Sequence, residues 1–310
     1  MSGTPIQLGP LSGVDFPCAD PVATVVMTHG IGLGPWMFEP WVETFNAWRL
    51  RVIALTMPGH LPGATGVEAV TLQSSADAVS EALGALSPAQ GPGTVVLLGH
   101  SMSALVAQLV ATRPDMQALR GVVLLCPAPP GQVRVVPDFE QIKHLGSVAG
   151  LAAGRPARPS LASYRALGMN RMSADDAEKA WARSVPWPPA LGMSLLRRPA
   201  VDPTKVTMPV LVAIGFHDRV FPWQKARVLG DLYECVVWRF DDLGHMPTME
   251  PGGVRMAREI AAWCVQPTRP QVIESEGFGP AEGIGHLLRR ARRGELMKKR
   301  SAYGQKKAAR

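Results

Sequence analysis

Short apolar runs and amphipathic stretches alternate along the first 130 residues of the chain. The apolar runs, each followed within two residues by Gly or Pro, predict strands at residues 24–28, 51–56, 94–98 and 121–125. The amphipathic stretches between them predict helices at residues 36–48, 71–86 and 101–112. Strands that alternate with helices are typical of βαβ units in a parallel sheet.

The alternation stops after residue 130 and resumes near residue 209. The stretch between is rich in Pro, Arg, Ala and Met and shows helical periodicity at residues 173–183, but it contains no apolar run that predicts a strand. Beyond it, the pattern predicts in turn a strand at 209–215, a helix at 222–233, a strand at 235–240 and a helix at 253–265.

This pattern predicts an α/β fold with a mostly parallel, doubly wound sheet. Residues 1–130 and 204–266 are expected to form the core of that fold. Residues 131–203 are expected to be a helical cap inserted between two strands, and residues 267–310 a basic, flexible tail.

With 310 residues, of which 46% are hydrophobic, the chain is long and apolar enough for one large domain. Its first residues lack a secretory-signal pattern, and its apolar runs are far below the roughly 20 residues of a spanning helix, which favours a cytoplasmic location. The four cysteines form no C-x-x-C pair, which favours reduced core thiols. No cofactor or metal is expected, since no nucleotide-binding glycine loop or His/Asp cluster is visible.

The net charge of +7 comes from the C-terminal end of the chain. Residues 277–310 contain ten Lys or Arg and two Glu, so the rest of the chain has a net charge of −1. Many like charges with few apolar residues predict a solvated tail, with contact to an anionic surface as the alternative. Because Tyr303 is the only Phe, Tyr or Trp between residues 286 and 310, no nucleic-acid partner is expected.

The strongest local signal for chemistry is the sequence VVLLGHSMSAL at residues 95–105. An apolar strand leads through Gly99 and His100 into Ser101, and a helix follows. A serine at such a sharp turn presents its hydroxyl at the end of the sheet, and its neighbours must be small. Ser103 stands where a G-x-S-x-G motif has its second glycine. The pattern predicts Ser101 as a nucleophile, and an ordinary strand–helix turn is the alternative.

A serine nucleophile needs a base, and His245 and His217 are the candidates that follow Ser101 in the chain. His245 comes directly after the predicted strand 235–240, at the end where open parallel sheets place reactive groups. His286 lies in the basic tail and is a poor candidate. We predict His245 as the base, with a purely structural role as the alternative.

The acid that orients the base should follow another strand at the same edge of the sheet. Asp218 comes shortly after the predicted strand 209–215 and can accept a hydrogen bond from His245. Asp241 and Asp242 share a turn with His245, where the short span makes the approach awkward. Asp218 is therefore predicted as the acid, and a helix N-terminal cap is its alternative role.

Negative charge that develops on a substrate oxygen needs fixed donors. The predicted donors are the backbone N–H groups of Met102, at the start of the helix, and of Ile31, in the glycine-rich sequence HGIGLG. His29 is expected to order that loop and His100 to pack beside the turn, and neither is expected to transfer protons. The residues expected to line the substrate pocket are His29, Gly30, Trp36, His100 and Met246.

These motifs, in this order, resemble those of the α/β-hydrolase superfamily, in the branch with an H-G-x-G loop and a cap after the sixth strand. The resemblance runs from residue 24 to residue 265, through HGIG (29–32), MPGH (57–60), GHSMS (99–103), LLCPAPPG (124–131), GFHDRVFP (215–222) and LGHMPTMEP (243–251). It implies a triad of Ser101, Asp218 and His245 and an oxyanion hole at Ile31 and Met102.

Two departures from the family pattern are Ser103, in place of the elbow glycine, and residues 54–60, which lack the Asp often found before P-G-H. The serine disfavours the dehalogenase and epoxide-hydrolase branches, which use Asp as nucleophile. The resemblance implies hydrolysis of a small apolar carboxylic ester through an acyl-enzyme. The alternatives are a thioesterase, an acyltransferase or a polyketide-tailoring hydrolase, and a binding protein that has lost turnover.

The predicted cap offers two sets of side chains for substrate contact. The candidates to line an acyl pocket are Met169, Met172, Trp181, Trp187 and Met193, for which ordinary packing is the alternative. A phosphopantetheine or carboxylate group has its candidates in Arg155, Arg158, Arg165, Arg171 and Arg183, for which a solvated face is the alternative.

Overall fold

The computed structural model describes residues 3–90, 93–116 and 119–268. Within these ranges one sheet has the spatial order β1-β2-β4-β3-β5-β6-β7-β8. Its strands are β1 (Thr4–Leu8), β2 (Leu11–Phe16), β3 (Ala23–Thr28), β4 (Leu50–Leu55), β5 (Val95–His100), β6 (Gly121–Leu125), β7 (Val210–Gly215) and β8 (Val237–Phe240). β3 to β8 are parallel, and β1 and β2 add antiparallel pairs at one edge. The predicted mostly parallel α/β sheet is confirmed.

The N-terminal hairpin of β1 and β2 was missed in the sequence-based assignment, which contains no element before residue 24. Gly9 has φ +52° in the turn, and Leu8 pairs with Leu11 across it. β1 is mostly exposed and β2 is only partly buried, so neither forms the apolar run that marks a central strand. β2 joins the sheet beside β4, with Gly13 opposite Leu55.

Helices cover both faces of the sheet. They are α1 (Glu39–Ala47), α2 (Leu72–Gln90), α3 (Met102–Ala111), α4 (Phe139–His144), α5 (Leu161–Ala166), α6 (Ala174–Arg183), α7 (Pro189–Arg197), α8 (Trp223–Tyr233) and α9 (Gly253–Val265). α1 packs against α9, and α2 packs against α3. The hydroxyl of Tyr233 in α8 donates to Gln108 Oε1 in α3 at 2.8 Å, so α8 lies beside α3.

The predicted helix at residues 36–48 is divided into a 3-10 turn, Pro35–Phe38, and α1. Pro40 lacks the N–H that would continue an α-helical ladder through this point. The division places the buried side chain of Phe38 at the junction. The other predicted helices of the sheet agree with α2, α3, α8 and α9 to within a few residues.

Residues 131–203, named the inserted segment here, connect β6 to β7 and are described throughout. They hold short helices and one isolated β-bridge, between Ala157 and Trp187, and no strand. Helix α6 occupies the predicted position, and Ser173 caps it by accepting a hydrogen bond from Asp176 N at 3.1 Å. Gly131 N donates to Pro199 O at 2.8 Å, so the two ends of the segment lie beside each other.

The carboxyl ends of the parallel strands lie at one edge of the sheet. Thr28 at the end of β3 is opposite Gly99 in β5, and Leu125 at the end of β6 is opposite Ala213 in β7. The loops after these strands therefore begin side by side, which is where open parallel sheets collect their functional residues.

Among the described residues, no helix is both long and apolar enough to cross a membrane. The predicted tail begins at residue 267, and from residue 269 onward it lies outside the described residues. The same holds for His286 and for the basic charges of residues 277–310.

Candidate active site

Ser101 occupies a strained turn between β5 and α3, with φ 55° and ψ −117°. A positive φ is uncommon outside glycine and persists only where the surrounding structure fixes it. The Ser101 N–H donates to Leu125 O at 2.9 Å, and its carbonyl accepts from Ala128 N at 3.0 Å. A Cβ atom on Gly99 would overlap the carbonyl oxygen of Ser103, so only glycine fits before this turn.

Ser103 stands where the G-x-S-x-G motif has glycine, and the structure shows what its hydroxyl does. Ser103 is fully buried in the first turn of α3, and its Oγ donates to the backbone carbonyl of His29. The departure from glycine thus adds a hydrogen bond between the elbow helix and the loop after β3. Helix and strand still approach closely because the small residue is supplied by Gly99.

His245 lies between Ser101 and Asp218 at hydrogen-bond distance from both. His245 Nε2 is 2.9 Å from Ser101 Oγ, and His245 Nδ1 is 2.8 Å from Asp218 Oδ2. All three residues are buried, with 4–6% of their surface exposed. Because a carboxylate can only accept, Nδ1 carries the proton, and Nε2 is then free to accept the Ser101 hydroxyl proton.

Asp218 makes further contacts that hold its carboxylate in place. Its Oδ1 accepts from Val220 N at 2.8 Å and from Phe221 N at 2.9 Å. The residue therefore caps the turn before α8 with one oxygen and faces His245 with the other. The two contacts that the sequence left as alternatives, one with His245 and one with the turn before α8, are both present.

The other sequence candidates lie apart from this arrangement. Asp241 pairs with Arg239 at 2.8 Å, and Asp242 pairs with Arg255, both on the exposed side of the His245 turn. His217 lies with its ring 5.2 Å from the ring of Phe216. None of these groups has a recorded contact with the Ser101 hydroxyl or the His245 ring.

Glu250 is a buried carboxylate that sequence reasoning missed. Its oxygens accept from the two N–H groups that flank His245 in the chain: Gly244 N at 2.5 Å and Met246 N at 3.0 Å. Burial raises the pKa of the Glu250 carboxyl, and the two N–H donors partly oppose the rise. The only hint in the sequence was an acidic residue shortly after the histidine in LGHMPTMEP.

His100 is fully buried behind the His245 loop. Its Nε2–H donates to the carbonyl oxygen of His245 at 2.8 Å, and burial lowers the pKa of His100 to about 3, so the ring is neutral. Cys126, with φ +45°, donates its thiol to Gly244 O at 3.5 Å, and burial raises its pKa. His100 packs beside the turn, where the sequence placed it.

His100, Cys126 and His245 present ligand atoms within 4.8 Å of one another, as a metal site would. The His100 Nε2 is engaged with a carbonyl oxygen, and both ring nitrogens of His245 are engaged with Ser101 and Asp218. A metal ion would have to displace these hydrogen bonds. The donor set fits proton transfer better than metal binding.

The loop after β3 lies against Ser101. A Cβ atom on Gly30 would lie 3.1 Å from Ser101 Cβ, so the backbone of this loop is in contact with the elbow. His29 donates through Nδ1 to Gly30 O at 2.9 Å and accepts at Nε2 from Met57 N at 3.0 Å. Burial, with a contribution from neighbouring His60, lowers the pKa of His29 well below its ordinary value.

The two predicted backbone donors belong to the residue after Ser101 and to the loop after β3. Met102 is the first residue of α3, and the N–H groups of a first helical turn have no acceptor within the helix. Ile31 lies inside a turn closed by Leu33 N, which donates to Gly30 O at 3.2 Å. Gly30 directly precedes Ile31 and contacts the elbow.

The remaining pocket candidates occupy varied places. His29 and His100 are fully buried, with their rings held by the backbone contacts given above. Trp36 is partly exposed and lies under the guanidinium of Arg183, 4.6 Å from the ring centre. Met246 is buried next to His245.

Three of the five arginines named above as candidates for a phosphopantetheine or carboxylate group make contacts with other protein groups. Arg158 donates to Ser184 Oγ at 3.0 Å and lies 4.0 Å above the Trp181 ring. Arg171 donates to a carbonyl at 3.4 Å, and Arg183 faces Trp36 as described above. These contacts favour structural roles for the three guanidinium groups.

A model of the Alpha/beta hydrolase family matches residues 25–257 of the chain. An esterase from Exiguobacterium antarcticum superposes with a TM-score of 0.67 at 17% identity, over 85% of this chain and 99% of that one. An esterase from Thermogutta terrifontis does so with 0.63 at 20% identity, over 85% and 98%. A thioesterase domain from the curacin biosynthetic pathway gives 0.58 at 15%, over 86% and 99%.

These structural similarities, at such low sequence identities, show a shared fold. A search of curated proteins finds no significant sequence match.

Proposed function

This chain belongs to the alpha/beta hydrolase family, and we propose that it is a serine hydrolase that cleaves small apolar carboxylic esters through an acyl-enzyme. The observation that carries the proposal is the position of His245, 2.9 Å from Ser101 Oγ and 2.8 Å from Asp218 Oδ2. A serine hydroxyl is a weak nucleophile until a base accepts its proton, and the base works best when a third group orients it.

In the first half of the reaction, Ser101 Oγ attacks the ester carbonyl carbon while its proton moves to His245 Nε2. Asp218 holds the Nδ1–H and stabilises the imidazolium that forms. The carbonyl electron pair moves to oxygen, where the N–H groups of Ile31 and Met102 receive the charge. Removing one such donor from a serine hydrolase typically costs about 10²- to 10³-fold in rate.

The intermediate then collapses. The bond to the leaving alcohol breaks, and His245 Nε2 returns its proton to that oxygen. Water enters, gives a proton to Nε2 and attacks the acyl carbon, and the acid is released as Ser101 regains its hydrogen. The buried surroundings of Ser101 and His245 strengthen these electrostatic contacts by excluding bulk water.

We assign Glu250 and His100 as positioning residues for the base. Glu250 holds the N–H groups before and after His245, and His100 holds its carbonyl. Together they fix the backbone of the His245 loop on three sides. Catalytic constellations need such support because small displacements of a base cost large factors in rate.

The inserted segment is proposed to act as a cap over this site. Gln141 Nε2 donates to Val220 O at 3.0 Å, and Asn170 Nδ2 donates to His217 O at 3.0 Å, so the segment reaches the loop of the acid. A Cβ atom on Gly168 would lie 3.8 Å from His245 Cδ2. The buried Met169 is adjacent in sequence, which supports an apolar lining near the base.

A thioesterase or an acyltransferase is the alternative within the same chemistry, supported by the similarity in fold to a thioesterase domain. Both would use the same acyl-enzyme and differ in the leaving group or acceptor. A catalytically inactive binding protein is the third possibility, against which the closely spaced Ser101, His245 and Asp218 count.

The test is turnover of p-nitrophenyl esters and matched N-acetylcysteamine thioesters of increasing acyl length. Wild type is compared with Ser101→Ala and with Ser75→Ala, which removes a buried hydroxyl of α2 that has no hydrogen-bond partner. We expect Ser101→Ala to lose roughly 10⁴-fold or more in kcat and Ser75→Ala to retain it. Equal rates for Ser101→Ala and wild type would contradict the proposal, and a preference for thioesters would select the alternative.

A further inference from the structure

A backbone hydrogen bond joins the inserted segment to the loop that carries Ile31. Val185 N donates to Gly32 O at 2.9 Å. Gly32 has φ +75°, and a Cβ atom there would overlap Trp187 Nε1 and lie 2.8 Å from Tyr164 Oη. Three groups from the segment therefore contact one residue of the loop, next to the proposed oxyanion donor.

These three groups, Tyr164, Val185 and Trp187, are named the brace here. Trp187 Nε1 donates to Tyr164 Oη at 3.4 Å. The backbone of Trp187 exchanges two hydrogen bonds with Ala157, at 2.8 and 3.3 Å. Tyr164 also bonds the side chain of Ser184, and burial raises the pKa of its phenol, which therefore stays protonated. The brace is a half-buried, hydrogen-bonded unit.

A second set of contacts rigidifies the chain just before Val185. Ser184 Oγ donates to Trp181 O at 2.7 Å and accepts from Arg158 Nε at 3.0 Å. The Arg158 guanidinium also lies over the Trp181 ring. Since Arg158 is fixed by these contacts, Val185 is presented to Gly32 at the end of a supported turn.

Two other carbonyls of the loop are held by α3 and by the loop itself. His29 O accepts from Ser103 Oγ, and Gly30 O accepts from Leu33 N at 3.2 Å and from His29 Nδ1 at 2.9 Å. In a planar trans peptide the N–H points opposite to the carbonyl, so the hold on Gly30 O sets the direction of the Ile31 N–H. Val185 N holds Gly32 O, which belongs to the same peptide as the Leu33 N–H that donates to Gly30 O. The contact therefore acts on the Ile31 N–H through that peptide, at a glycine whose backbone is otherwise soft.

We infer that the brace positions the Ile31 N–H, so that docking of the inserted segment completes the oxyanion hole as well as covering the site. The inference rests on the proposed function, because it assigns the segment a part in that reaction. Tyr164, Val185 and Trp187 are positioning residues, which act through Gly32. When the segment is docked, the Ile31 N–H points to the position of the oxyanion. A donor in that position stabilises the transition state more than the bound ester.

The test compares Val185→Pro with Val185→Ala. Both remove the valine side chain, but only proline removes the N–H that reaches Gly32 O. Ser184 has φ −71° and ψ 152°, a conformation compatible with a following proline. We expect Val185→Pro to lose about 10- to 100-fold in kcat with KM changed less than about threefold, while Val185→Ala stays close to wild type.

A second readout separates positioning from a general loss of structure. An alkylboronic acid forms a tetrahedral adduct with a reactive serine and places an oxygen where the oxyanion forms. Its affinity should fall in Val185→Pro by the same factor as kcat/KM, while the affinity for the product carboxylate stays constant. If Val185→Pro does not fold, Trp187→Phe, which removes the indole N–H, should show the same pattern more weakly.

The outcomes distinguish the two proposals. Wild-type turnover that does not depend on Ser101 overturns the proposed function and the brace together. Turnover that depends on Ser101, with equal kcat and boronic acid affinity in Val185→Pro and Val185→Ala, overturns the brace alone. A rise in KM without a fall in kcat also overturns the brace, since it would assign the contact to substrate binding.

Discussion

The carboxyl edge of the sheet and the inserted segment differ in how their backbones are held. At the edge, the proposed catalytic residues follow β5, β7 and β8. β5 and β7 are paired on both sides, and the terminal strand β8 pairs with β7 and contacts α8. The inserted segment has short helices, one isolated bridge and large exposed apolar side chains, such as Val136 at 65% and Phe139 at 78% exposure.

This contrast indicates that the two regions have different functions. The edge fixes the reacting groups to within hydrogen-bond distances, as rigid strands do best. The inserted segment touches the loops after β3 and β7 from outside, through Val185, Gln141 and Asn170. Changes at the edge should therefore abolish chemistry or folding, and changes in the segment should modulate rate.

The largest effect should come from Asp218→Asn. The amide can no longer hold the His245 tautomer that accepts from Ser101, and kcat for ester hydrolysis should fall about 10⁴-fold. Asp241→Asn is the matched control, since that carboxylate pairs with exposed Arg239, and its kcat should stay near wild type. Steady-state kinetics on a p-nitrophenyl ester measure both variants. A large loss in Asp241→Asn with none in Asp218→Asn would place the acid elsewhere.

The next effect concerns stability at the elbow. Gly99→Ala places a methyl group into the carbonyl oxygen of Ser103, and this backbone overlap should lower the free energy of unfolding by about 3 kcal/mol or more. Gly84→Ala is the control, because a Cβ atom there meets nothing within 4 Å in the interior of α2. It should raise stability by up to about 1 kcal/mol. Urea unfolding in which Gly84→Ala is less stable than Gly99→Ala would contradict this prediction.

Acid should destabilise the edge through three buried histidines. Burial lowers the pKa of His100 to about 3, that of His60 to about 4 and that of His29 well below its ordinary 6.5. The unfolded chain binds these protons at a higher pH than the folded chain does. This contribution to the free energy of unfolding is therefore complete above pH 6.5 and falls as the pH drops toward the folded-state pKa values.

Each of these histidines contributes up to about 1.4 kcal/mol per pH unit in that window. Between pH 6 and pH 4.5, the slope of the unfolding free energy against pH should therefore be smaller in His60→Asn than in wild type, by the contribution of about one proton. Urea unfolding at a series of pH values measures the slope. A slope as steep in His60→Asn as in wild type would show that His60 is not held neutral.

The smallest effect should lie on the surface of the inserted segment. Arg183→Ala removes a cation–π contact to Trp36 and a 3.7 Å ion pair with Glu39, both partly exposed, and should cost about 1 kcal/mol or less. Lys179→Ala removes an exposed 3.9 Å pair with Asp176 and should change thermal stability by less than about 0.5 kcal/mol. A loss of several kcal/mol in either variant would mean that the inserted segment is held as firmly as the carboxyl edge of the sheet.

The sequence predicted the sheet well because its central strands are buried on both faces and appear as continuous apolar runs. Two of these strands, β5 and β7, mark where Ser101 and Asp218 stand, and His245 follows the half-buried terminal strand β8. The hairpin of β1 and β2 has no such run, because its residues are exposed or half-buried.

Contacts between distant segments could not be predicted from the sequence. Glu250 acts on backbone N–H groups, and Val185 N acts on a backbone carbonyl, so neither depends on a side-chain motif. The bond from Ser103 to His29 O likewise needs the approach of α3 to the loop after β3. Such contacts follow from tertiary packing, and a single sequence carries little trace of them.

The central claim is that Ser101 is an activated nucleophile, and fluorophosphonate labelling followed by intact mass tests it most directly. Wild type should gain the mass of one adduct, and Ser101→Ala should gain none while Ser75→Ala labels like wild type. Folded wild-type protein that gains no adduct, or Ser101→Ala protein that still gains one, would contradict the account.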